Sequence, residues 1–238
     1  MQISAVSKEI NEWSGSVLIA GILEGTIESQ INLFKTIIKD TFLRQRFNDS
    51  KFEGKKHQKL SIELIEGKIK KVIFVGLGKA ETLRINDLRK AASICTRQVS
   101  SYERKLGIFF PWDAFDPSSA ACAVGEAVAL SSIKDLRFKS DSKETTSIDE
   151  VEFIGLDTKS TKSAIAEINP ICEGVKFARE LVSAPPNVLT PHQMAKEAEK
   201  LAADYDLDLK ILDKKECEEQ GMGAYLAVAK GSDLEPKF

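Results

Sequence analysis

Along this chain, short apolar runs alternate with stretches in which apolar residues recur every three or four positions. Residues 16–22, most of them within the apolar run Val17–Leu23, predict a buried strand. Ile31, Phe34, Ile38 and Phe42 share one helical face, predicting a helix from Glu28 to about Arg44. Leu60, Ile62 and Leu64 alternate with polar residues, as in a half-buried strand, and Glu66-Gly67 supplies a turn. Residues 72–75 predict a short strand running into Gly76-Leu77-Gly78-Lys79. A helix capped by Asn86 follows to about Tyr102, burying Leu88, Ala92, Cys95 and Val99. Residues 107–110 predict a further strand stopped by Pro111. The alanine-rich stretch 119–131 predicts a close-packed helix, and 151–155 one more strand.

Residues 139–149 are the most polar stretch, with no apolar face to bury, and predict an exposed loop. A helical pattern then runs from Lys162 to about Ser183. Pro185-Pro186 ends it, because proline donates no helix hydrogen bond and its predecessor avoids the helical region. A second unit begins there. Thr190 caps a helix with Pro191 in its first turn, and Gln193 can close a capping box. Met194, Ala198 and Leu201 form its apolar stripe. Leu207, Leu209 and Ile211 alternate as a strand. Asp213 and Glu216 predict a second capping box on a short helix ending at Gly221, and residues 224–229 another strand. The resulting expectation is an α/β domain over 1–160, a linker helix over 161–184, and over 185–238 the α-β-α-β start of a second α/β domain. So few strands make a marginal sheet alone, so the second domain is expected to be incomplete here.

Composition narrows the classes. A length of 238 residues suits one large domain or two small ones, and 42% hydrophobic residues supply a core. A net charge of −2 offers no general attraction to nucleic acid or anionic membrane. The N-terminal segment lacks the basic and apolar regions of a signal peptide, and no apolar run approaches a membrane span. Cys95, Cys122, Cys172 and Cys217 form no CxxC pair, and each falls in a predicted helix. They predict buried, reduced thiols in a cytoplasmic protein rather than a zinc ribbon or disulfide framework.

Candidate chemistry is sparse. His57 lies in a lysine-rich segment and His192 in a helical first turn. Neither has a second His or a Cys at metal-ligand spacing, so surface and capping roles are expected. Asp204, Asp206 and Asp208 alternate in a way that could face a hard cation. The glycine and distal glutamate of a calcium loop are missing, and a solvated helix end explains the cluster. Gly76-x-Gly78-Lys79 after a strand resembles a phosphate cradle. It completes neither the dinucleotide nor the GxxxxGK[ST] pattern, and a tight turn accounts for the glycines. No Gly-x-Ser-x-Gly elbow is present.

Three stretches are more specific. Residues 70–79 (KKVIFVGLGK) with the following helix, 174–191 (GVKFARELVSAPPNVLTP) and 221–232 (GMGAYLAVAKGS) resemble, in order, parts of the leucyl (cytosol) aminopeptidase family. They are similar to its N-terminal strand-turn-helix, its connecting helix with the entry to the catalytic domain, and a strand before the active site. Ser183 stands where that family often has Asn; both can hydrogen-bond at a helix end. The resemblance implies a macro-like N-terminal α/β domain and a two-metal exopeptidase that removes N-terminal residues, preferably leucine, in intracellular protein turnover. It implies zinc or manganese as cofactors, peptides as substrates and a hexameric assembly. It also implies that the metal ligands and catalytic residues lie beyond Phe238, so that no catalytic, cofactor-binding or metal residue falls in this chain and the chain alone is inactive. The alternative is a macro-like nucleotide or ADP-ribose binding module using Gly76–Lys79.

Overall fold

The chain's longest apolar runs lie at the centre of a six-stranded sheet, where burial on both faces removes any need for alternation. The computed structural model describes residues 1–99, 103–140 and 148–238. The strands are β1 (Gln2–Val6), β2 (Val17–Leu23), β3 (Lys59–Glu63), β4 (Lys71–Gly78), β5 (Lys105–Phe109) and β6 (Glu150–Ile154). Their order is β1-β6-β5-β2-β4-β3, all parallel except β3, which runs antiparallel to β4 on the sheet edge. Edge position explains the exposed Lys59, Ser61 and Glu63, which alternate with buried Leu60 and Ile62.

Helices cover both faces. On one side lie α1 (Ile27–Phe34) and α2 (Asp40–Asp49), whose Phe34, Leu43 and Phe47 pack with Leu18, Ile22 and Phe74. The Phe34 and Phe47 rings meet Phe74 edge-on at 5.0 and 5.1 Å. On the other side lie α3 (Ile85–Thr96), α4 (Pro117–Ser132) and α5 (Thr158–Ser183). Leu88, Ala92, Val124 and Ile168 close over Ile73, Val75 and Phe153. The alanines of α4 permit close packing, and a Cβ on Gly125 would collide with Ile168.

The single helix expected from Glu28 to Arg44 is two. The break falls at residues 35–39, where Thr36, Ile37 and Ile38 are a β-branched run with low helix propensity. α3 begins earlier than an Asn86 cap requires: Arg84 is its cap residue, and the Arg84 backbone N–H donates to Asp87 at 2.9 Å. α5 begins at Thr158, four residues before the expected start, and accommodates Pro170. β1 has no counterpart in the expected elements. Its signal is only the alternation of Ile3 and Ala5, and it pairs with β6, nearly 150 positions away. Much of the expected loop at 139–149 lies outside the described residues.

The chain divides into two compact units, Met1–Lys176 and Phe177–Phe238. The second contains α6 (Pro191–Tyr205), α7 (Lys214–Glu219) and α8 (Gly223–Ala229). Thr190 caps α6 by accepting from the Gln193 N–H at 3.2 Å; the Gln193 side chain turns to Glu197 instead of completing a box. The Asp213–Glu216 capping box is complete, with both bonds at 2.9 Å. Two expectations fail in this unit. Residues 224–229 are helix, not strand: a six-residue apolar run does not distinguish the two, and Ala and Leu are strong helix formers. Leu207, Leu209 and Ile211 belong to no assigned strand, since no ladder partner stands beside them among the described residues.

Candidate functional site

Gly76, Leu77 and Gly78 are not a turn after β4 but its last residues. Close approach of backbone requires Gly76, and a left-handed backbone favours Gly78. The segment leading into β3 crosses directly over Gly76, where a Cβ would collide with the Lys55 carbonyl and lie 2.7 and 2.8 Å from the Gly54 C and O. Gly78 has φ +81°, open to glycine at little cost. Two amides of this segment are occupied by the chain itself. Gly76 N–H donates to Gln58 O at 2.9 Å, and Gly78 N–H to Gly54 O at 2.8 Å. The cavity bounded by Lys56, His57, Val75, Gly76, Leu77, Asp87 and Ala91 is about 10 Å³, room for a single water.

His57 is exposed, with φ +69°, and its backbone N–H donates to Gly76 O at 3.2 Å, so its role here is in the backbone of that segment. Lys56 Nζ reaches Asp87 Oδ2 at 2.8 Å, tying the segment to the start of α3. Burial opposes ionisation of Asp87, but hydrogen bonds from Lys56 and the Arg84 N–H outweigh it and hold the carboxyl below its ordinary range.

At the opposite, N-terminal ends of the parallel strands lies a charged cluster that the sequence pattern does not single out. Trp13 Nε1 donates to Glu152 at 2.7 Å, and Lys105 Nζ lies 3.1 Å from Glu152 and 3.2 Å from Glu150. Burial works against the Lys105 ammonium, but the two glutamates prevail and raise its pKa. Four residues from three separate stretches build this cluster, and nothing local in any stretch announces it.

In the second unit His192 is exposed in the first turn of α6. Asp204 and Asp208 are exposed, and Asp206 takes the left-handed conformation, φ +52°, that ends α6. These residues do not converge on one point. Among the described residues no group of three or more His, Cys, Asp or Glu side chains could hold a metal ion. A shallow cavity of about 670 Å³ lies beside α7 and α8, where Lys214, Glu218, Lys230 and Glu235 meet Leu226 and Leu234. Both charge signs are present without a converging donor set. Cys95 and Cys217 are fully buried; burial pushes the Cys95 thiol up to about 12. Cys122, half-buried, donates to Ala164 O at 3.3 Å.

Comparison with known proteins places the two units in one lineage. Residues 21–142 match the model for the cytosol aminopeptidase family, N-terminal domain, and residues 176–238 that for the cytosol aminopeptidase family, catalytic domain. A probable cytosol aminopeptidase of Prochlorococcus marinus strain MIT 9211 is 48% identical over all 238 residues, which cover 48% of its own length. The corresponding protein of Synechococcus strain CC9311 is 37% identical over 241 aligned residues, again 48% of its length. A mutant tomato leucine aminopeptidase superimposes with a TM-score of 0.83 at 27% identity, over all of this chain and 49% of that one. The chain thus spans about half the length of the curated relatives it matches. No helix among the described residues is long and apolar enough to cross a membrane. Two family models matched in order, on a sheet and helix arrangement shared with a solved leucine aminopeptidase, lead to one assignment: this chain belongs to the cytosol aminopeptidase family.

Proposed function

We propose that this chain is the N-terminal part of a leucyl aminopeptidase, a metallo-exopeptidase that removes N-terminal residues, preferably leucine, from peptides in cytoplasmic protein turnover. The observation that carries the reading is the order of the two family matches, N-terminal domain over 21–142 and catalytic domain over 176–238. We assign 1–160 to a macro-like α/β domain, 161–184 to a linker helix and 185–238 to the beginning of the catalytic domain. The complete protein forms a homo-hexamer in this reading.

The family implies two divalent ions, zinc or manganese, which activate water and stabilise developing negative charge when bound. The described residues do not fit that group, for they gather no three candidate ligands. The family resemblance puts the ligands in polypeptide outside these 238 residues. Within the chain, the first unit contributes a six-stranded sheet and the second the capped helices α6 and α7. Nucleotide or ADP-ribose binding at Gly76–Lys79 is the less supported reading, because the amides of Gly76 and Gly78 are already committed to Gln58 and Gly54.

The test is hydrolysis of leucine amide by the purified 238-residue chain with added zinc or manganese. No turnover is expected. A polypeptide joining these residues to the remaining half of the Prochlorococcus marinus MIT 9211 relative is expected to hydrolyse it. Metal-dependent turnover by the 238-residue chain, persisting after host peptidases are removed, would place a metal site among residues that line the surface. An inactive but folded joined polypeptide would remove the peptidase reading.

A further inference from the structure

β3 is an edge of the six-stranded sheet, and its register with β4 decides where its backbone groups point. Facing positions run from Lys59–Val75 to Glu63–Lys71 without a bulge. Gly76 N–H donates to Gln58 O at 2.9 Å and Leu64 N–H to Lys70 O at 2.7 Å, so the even-numbered residues make the hydrogen-bonded pairs with β4. The N–H and C=O groups of Lys59, Ser61 and Glu63 therefore point away from β4, and among the described residues none of them has a hydrogen-bond partner. The side chains of these three residues are exposed, while Leu60 and Ile62 lie in the core. Neither Lys59 nor Glu63 has an ion-pair partner among the described residues. Ile65, two residues beyond the end of the strand, is 96% exposed.

Charged residues on an edge strand ordinarily keep other strands away. Here the two charges have opposite sign and stand two residues to either side of Ser61. An antiparallel copy of the same strand, centred on Ser61, brings them together instead. We propose that two copies of this chain pair through β3 about a two-fold axis at Ser61. Ser61 then faces Ser61 of the partner copy, and Lys59 of each copy faces Glu63 of the other. These are hydrogen-bonded positions, so the outward N–H and C=O groups of all three residues find partners. Two cross-strand ion pairs form on one face of a sheet that continues through both copies. A parallel copy in the same register would set like charges side by side, which is destabilising. The occupant follows from this symmetry: the charge pattern of β3 is complementary to itself, as a two-fold interface requires. The proposal stands on the first unit alone and is independent of the family reading.

Disulfide trapping in the 238-residue chain tests the register. Facing Cα atoms at a hydrogen-bonded position are about 5.5 Å apart, within disulfide range. Ser61→Cys is expected to cross-link two copies under mild oxidation, with the bond located by peptide mass spectrometry. Lys59→Cys alone is expected not to, because the two Lys59 positions are offset by about 13 Å along the strands. A mixture of Lys59→Cys and Glu63→Cys chains is expected to cross-link. Sedimentation equilibrium supplies a measurement without cysteines. Lys59→Glu is expected to weaken dimerisation at least about tenfold, and Lys59→Glu combined with Glu63→Lys to restore it, since the pairs re-form with their signs exchanged. Restoration separates pairing from any loss of fold, because both positions are exposed. A wild type that stays monomeric at every concentration overturns the proposal. So do a Ser61→Cys chain that cross-links no faster than Lys59→Cys, and a double reversal that dimerises as weakly as the single. Slowed exchange of the Ser61 amide on adding an extended peptide, with the chain still monomeric, assigns the edge to a peptide and overturns it as well.

Discussion

Replacing Gly76 by alanine puts a number on the claim that the glycines at the end of β4 serve packing. The new Cβ meets only backbone, the Lys55 carbonyl and Gly54, so no side-chain rotation relieves the collision. The segment must lift, and three hydrogen bonds depend on its position: Gly76 N–H to Gln58 O, His57 N–H to Gly76 O, and Gly78 N–H to Gly54 O. At about 1 kcal/mol net for each, weakening all three costs about 2–3 kcal/mol. Alanine also reduces the freedom of the unfolded chain, returning about 0.4–1 kcal/mol. The balance is a loss of about 2 kcal/mol. For a unit of this size, that lowers the melting temperature by roughly 4–8 °C. Gly174→Ala is the matched control. Gly174 lies within α5, and a Cβ added there would have no neighbour within 4 Å. Alanine at that position is expected to stabilise by about 0.5–1 kcal/mol through helix propensity. Thermal melts by circular dichroism and urea midpoints measure both. A Gly76→Ala protein that melts at or above the wild-type temperature refutes the packing argument.

Two other expectations concern titration and thiol chemistry. Asp87 ionises below its ordinary value of 3.8, so its contribution to stability is present above that pH and disappears as pH falls through the lower, folded value. Urea midpoints of the wild type should therefore fall more steeply below about pH 4 than those of Asp87→Asn, and parallel curves would show that Lys56 and Asp87 are not coupled. In native protein at about pH 8, near the ordinary thiol range, Cys122 should react with a thiol reagent before Cys95, whose burial and raised pKa of about 12 keep it protonated until unfolding. Labelling of Cys95 at the Cys122 rate, followed by peptide mapping, would contradict the packing of α3.

What is legible in the sequence depends on whether burial alone decides the element. β2 and β4 are apolar throughout because helices cover both faces, and β3 alternates because it is an edge; the pattern predicts all three. The capping box of α7 is legible because its two side chains and two backbone groups lie within four residues. β1 escapes the pattern because a five-residue edge strand contributes only Ile3 and Ala5 to the core and owes its existence to β6. Residues 224–229 mislead because their composition is equally compatible with a buried strand. The choice is made by the turn at Gly221–Met222 and by Tyr225, whose hydroxyl donates to Lys237 O at 2.6 Å.

The candidate site separates along the same line. The glycine pattern of β4 completes no phosphate motif, and its actual cause, a distant segment crossing at backbone contact, has no local signature. A metal centre is harder still to read, since its ligands converge from elements far apart and each alone looks like a surface carboxylate or lysine. Family resemblance can be read because it is carried by contiguous stretches such as 174–191, whereas chemistry is carried by convergence. Residues 207–212 stand between the two cases. Their alternation is a local signal for a strand, but a strand exists only with a partner. Leu212 and Phe238 exchange both backbone hydrogen bonds, but a single such pair does not make a ladder. The disagreement between pattern and structure at these residues thus has a physical cause: alternation says which face a strand would bury, and only a paired neighbour makes the strand.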